Sequence, residues 1–144
     1  MLSLHTFREA KTRLPLKKIN ALHELIVGEE AGPGWKGSIN LVFTGDRQIR
    51  KLNRDHRKKD KATDVLSFTV DSPGSTEAVV GEIYISCATA RRQAEAYGGS
   101  LVDEYLRLFC HGLLHVFGYD HARRADAEIM RAREAYYLSQ GQSL

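Results

Sequence analysis

Little in this chain invites a covalent framework or a membrane. Its 144 residues include two cysteines, three prolines and one tryptophan. Cys87 and Cys110 are too few and too far apart for a disulfide scaffold or a Cys-x-x-Cys site. The expected setting is therefore a reducing one, the cytoplasm. No apolar run approaches the roughly 18 residues that a membrane span needs. The opening stretch MLSLHTFREAKTRLPLKK is interrupted by Arg8, Glu9, Lys11 and Arg13. It lacks the apolar segment of a secretory signal. With 42% hydrophobic and 27% charged residues, the composition argues against a disordered chain. No repeat or linker divides it, so the expectation is one domain spanning residues 1–144, long enough to bury a core.

Charge is present but unevenly placed. The chain is +3 as a whole. Residues 47–61, RQIRKLNRDHRKKDK, hold eight Lys/Arg against two Asp, which leaves the remainder mildly acidic. Such a window is either a solvated helix face or a patch for a polyanion. The apolar spacing predicts a helix over 15–29, a strand over 38–45 and a helix opened by Asp46 with Ile49 and Leu52 inward. A polar loop follows over 56–64, then strands over 65–70 and 79–86 joined through a turn in DSPGSTEA. Ser86 caps a helix that Gly98 and Gly99 close. Ser100, with Asp103 three residues on, opens another helix that ends at Gly118. A last helix covers about 123–139. The expected fold class is α+β, one small mixed β-sheet packed with about five helices.

Half of the six histidines fall in CHGLLHVFGYDH, residues 110–121. His111 and His115 are four apart on a helix, so they point the same way, about 6 Å apart along the axis. Gly118 ends the helix and lets His121 fold back as a third donor. Three protein nitrogens with an open position suit a catalytic zinc rather than a closed structural site. The spacing equals that of HExxHxxGxxH, but Gly112 stands where a zinc protease carries its glutamate base. A peptidase is thereby disfavoured. Asp120 is a candidate to orient His121, to act as a base, or only to cap the turn. Cys110 lies about 100° around the helix and is expected in the core, and Met130 is expected on a helix face.

At this point HGLLHVFGYDH resembles the signature of the YbeY endoribonucleases, also called ribosomal RNA maturation factors. LNRDHRKKDKATDVLSF (52–68) and GEIYIS (81–86) resemble two further signatures of that family, in the family's order. His56, Thr69 and Glu82 depart from residues common there. The resemblance implies a small α+β domain with a metzincin-like zinc site: one Zn²⁺ per chain on His111, His115 and His121. It implies single-strand-specific RNA hydrolysis in 16S ribosomal RNA 3′-end maturation and ribosome quality control, with Arg57 as the functional arginine. A guanidinium can bind phosphate bidentately. Arg54, Lys58, Lys59 and Lys61 would hold neighbouring phosphates. Tyr119 and Phe68 either pack in the core or offer faces for base stacking. The expected partners are single-stranded RNA and the small ribosomal subunit, with no membrane. The alternative is a non-catalytic, zinc-containing assembly factor that binds ribosomal RNA.

Overall fold

Segments far apart in the chain build a single sheet. The computed structural model describes residues 2–70 and 78–141. Their order is β1 (Leu2–Arg8), α1 (Leu16–Glu30), β2 (Gly37–Thr44), α2 (Asp46–Arg57), β3 (Val65–Thr69), β4 (Val79–Ser86), α3 (Cys87–Tyr97), α4 (Leu101–Val116) and α5 (Arg124–Gly141). This is the expected α+β class, with four strands ordered β1-β2-β4-β3. β1 runs parallel to β2, and β2 parallel to β4, while β3 is antiparallel to β4. The two central strands bury Ile39, Leu41, Phe43, Ile83 and Ile85 completely, the alternate residues that share one face of the sheet.

Helix α4 is central to the packing, touching β3, β4, α1, α3 and α5. Leu108, Phe109, Leu113 and Leu114 are all buried on it. Two glycines let this helix approach the sheet. A Cβ at Gly112 would lie 2.7 Å from Ile83 Cγ2 and 2.9 Å from Ser67 Oγ; one at Gly81 would lie 2.8 Å from Val116 Cγ1. Ser100 Oγ accepts the Asp103 backbone N–H at 3.0 Å and so caps the start. At the far end Gly118 takes a φ of 98°. There the Gly118 and Tyr119 N–H groups donate to the His115 and Leu114 carbonyls, both at 3.0 Å. This paired closure reverses the chain just before His121.

Several local readings need correction. β1 was not expected. It is an edge strand in which only Leu2 is buried and Phe7 is exposed, so its apolar alternation is faint. What defines it is parallel pairing with β2, from Leu2↔Gly37 to Arg8↔Phe43. Asp46 does not cap its own helix; Gly45 is the cap residue, without a side-chain bond. The Asp46 carboxylate instead accepts from Ser86, Thr89 and Arg92, tying α2 to the start of α3. Helix α2 continues through His56 and Arg57, so the polar loop begins later than expected. The last helix runs on to Gly141. Most of the DSPGSTEA turn (71–77) lies outside the described residues. Among the described residues, no helix is long and apolar enough to cross a membrane.

Candidate metal centre

Helix α4 and the turn after it bring three imidazoles together. One ring nitrogen each from His111, His115 and His121 lies within 4.8 Å of the others. The Nε2 atoms of His111 and His115 face each other at 3.1 Å. Tetrahedral zinc, with Zn–N near 2.0–2.1 Å, sets its donors roughly 3.3 Å apart. The His111–His115 pair therefore has about the separation such an ion sets, with the His121 nitrogen within 4.8 Å of both. Burial, then the two neighbouring imidazoles, lower the pKa of His115. A neutral imidazole is the form that binds metal. Cys110 is not part of the cluster: it is fully buried, and burial pushes its thiol up to about 12.

The cluster opens into a cleft of about 490 Å³ that Arg57, Lys59, Lys61 and the outer edge of β3 also line. Arg57, from the last turn of α2, donates Nη2–H to the Ser67 carbonyl at 2.6 Å, and its guanidinium sits 5.3 Å above Phe68. His56 packs on the same ring at 5.2 Å. Phe68 is thus already covered by two side chains. Asn53 is buried in α2 and donates to the Lys61 carbonyl at 3.0 Å, holding the loop that carries Lys59 and Lys61. Lys58 is exposed at the left-handed end of α2, with φ 60°. Arg54 faces a separate groove with Arg47, Arg50 and Lys51, and pairs with Asp55. Asp120 lines the cleft, and its Oδ1 accepts the backbone N–H groups of His121 and Ala122 at 2.7 and 3.2 Å. Those two bonds lower its pKa.

Two contacts escaped the sequence reading. Glu134 on α5 hydrogen-bonds Nδ1 of His111. Glu30, at the end of α1, accepts from Tyr119, Arg133 and Tyr137. The Tyr119 hydroxyl is thereby committed to a carboxylate. No local motif marks either acid; each acquires its role only when α1, α4 and α5 pack.

The fold and the site together define an α+β protein with a candidate three-histidine metal centre at the end of a basic cleft. Residues 6–142 match the family model for endoribonuclease YbeY. A Thermus thermophilus protein named endoribonuclease YbeY is 49% identical over 105 residues, covering 72% of this chain and 75% of its own. One of the same name from Anaeromyxobacter dehalogenans is 45% identical over 97 residues, covering 67% of this chain. The matched region is only 50% of that relative's length. The solution structure of a Thermotoga maritima protein superposes with a TM-score of 0.68 at 26% identity, covering 99% of this chain and 90% of its own. The chain belongs to the YbeY endoribonuclease family.

Proposed function

We propose that this chain is a zinc-dependent, single-strand-specific endoribonuclease. We further propose that residues 1–144 act as one domain in the cytoplasm, in 16S ribosomal RNA 3′-end maturation and ribosome quality control. The observation that carries this reading is the convergence of His111, His115 and His121 beside a cationic cleft. His111, His115 and His121 would hold the ion. When bound, zinc supplies a Lewis acid for a phosphoryl oxygen or a water molecule. Arg57 spends one N–H of its guanidinium on Ser67, and the remaining donors of the fork are suited to a phosphate. Its charge would offset that which builds on the phosphoryl oxygens during cleavage. Lys59 and Lys61 would bind flanking phosphates within the cleft, with Lys58 at the end of α2 and Arg54 in the neighbouring groove holding phosphates further along the strand. Asp120 holds the turn that presents His121. The small-subunit substrate and the ribosome as partner rest on family membership.

The test uses zinc-loaded protein purified from a host lacking its own ribonucleases. A labelled single-stranded ribosomal RNA fragment and its duplex are incubated with wild type, His115→Ala and Arg57→Ala. Cleavage of the single strand by wild type, with each variant slowed at least 100-fold, is the expected result. Equal cutting by all three would expose a contaminant. RNA binding without cutting would favour the zinc-containing assembly factor.

A further inference from the structure

The two ring nitrogens of His111 face different parts of the molecule. Nε2 faces Nε2 of His115 at 3.1 Å, within the candidate metal centre. Nδ1 faces α5 and is hydrogen-bonded to Oε1 of Glu134. The Glu134 side chain is 15% exposed, well shielded for a carboxylate. On its own helix it stands one turn beyond buried Met130 and one residue after Arg133, which is anchored to Glu30. Tyr137, three residues further on, is also fully buried, so α5 is packed on both sides of Glu134.

A neutral imidazole carries one N–H, and an ionised carboxylate can only accept. In a neutral imidazole placed against such a carboxylate, the proton sits on Nδ1 and Nε2 is left with a bare lone pair. We propose that Glu134 is a positioning residue for the metal centre. It holds His111 in the one tautomer whose Nε2 can donate to the ion. The inference rests on the metal reading given above. Carboxylates that accept from a ligand histidine act this way at metal sites generally, and losing one commonly weakens metal binding about 10–100-fold. The competing view is that Glu134 merely ties α5 to α4.

The two views separate in metal-free protein. Glu134→Gln keeps the size of the side chain but adds an NH₂ that can donate to Nδ1, so the tautomer is no longer imposed. Long-range ¹H–¹⁵N spectra of the imidazoles at pH 8 are compared for wild type, Glu134→Gln and Glu134→Ala. Zn²⁺ affinity is measured alongside by competition with a chromophoric chelator, and thermal melting of the metal-free forms reports folding. Expected are Nδ1–H for His111 in wild type, loss of that signature in both variants, and a Kd for Zn²⁺ raised about 10–100-fold in Glu134→Ala. Glu134→Asp should recover part of the affinity. An unchanged His111 tautomer in Glu134→Gln, with Kd within twofold of wild type, would overturn the proposal and leave a helix tie. A wild type that binds no Zn²⁺ would overturn the metal reading itself. Zinc-loaded protein that cuts no RNA would count against the nuclease reading alone.

Discussion

Gly112 stands where a zinc protease carries its glutamate, and the structure supplies a steric reason for its being glycine. The position faces the sheet: an added Cβ would press on Ile83, which is fully buried, and on Ser67 Oγ, which donates to the Gly112 carbonyl at 3.0 Å. A larger side chain there would meet the sheet at its first carbon. Gly112→Ala should gain about 1 kcal/mol of helix propensity and lose more to overpacking, for a net loss of about 1–2 kcal/mol. Urea titration with an unchanged m-value measures it. A variant as stable as wild type would mean that α4 can lift off the sheet freely. The three histidines were legible because one helix and one turn fix their geometry from spacing alone. Asp120 was legible only as an ambiguity, since a carboxylate beside a candidate ligand can face the cleft or its own turn; here it bonds the turn. Glu134 was not legible, because no local rule connects position 134 to position 111.

At the scale of elements, the turn bearing His121 is held by a clamp that joins α1 to α5. Glu30 is 11% exposed and collects hydrogen bonds from Tyr119, Arg133 and Tyr137. Burial alone would raise its pKa. The bonds from Tyr137, Arg133 and Tyr119 outweigh that and hold it below its ordinary value of 4.5. A carboxylate depressed in the folded state contributes stability that is complete above the unfolded value. That contribution is lost as the pH falls through the folded value. Stability measured against pH should therefore drop below about 4.5 in wild type, and Glu30→Gln should flatten the drop while lowering the plateau at pH 7. Equal slopes in the two proteins would show that other acids govern the acid limb. Tyr119→Phe should spare the plateau more and mainly loosen the turn, read as faster amide exchange at His121. Elements with local signals were readable: β4 was placed at its observed ends, and α3 closes on Gly98 as expected. Strand β1 was not, because an edge strand with one buried side chain draws its definition from a distant partner.

Over the whole molecule, the candidate centre is separable from what folds the chain. Leu41, Phe43, Ile83, Leu108 and Leu113 belong to one buried cluster made by the central strands with α1 and α4. The three imidazoles sit at its margin, His111 and His115 half-buried and His121 exposed. Apolar burial of this extent needs no ion to close it. Metal removal should accordingly leave a cooperatively folded protein, unlike a small zinc-nucleated module. An ion that binds only the folded state adds RT ln(1 + [L]/Kd), about 2.7 kcal/mol at a hundredfold excess over Kd. For a chain of this length that is a rise of about 5–10 °C in Tm. Melts recorded with a chelator and with Zn²⁺ should differ by that amount, and the difference should vanish in His121→Ala, whose metal-free Tm should match wild type. A chelated protein without a cooperative transition would place the ion among the determinants of the fold. A Zn²⁺-induced shift that survived in His121→Ala would put the bound ion elsewhere on the chain.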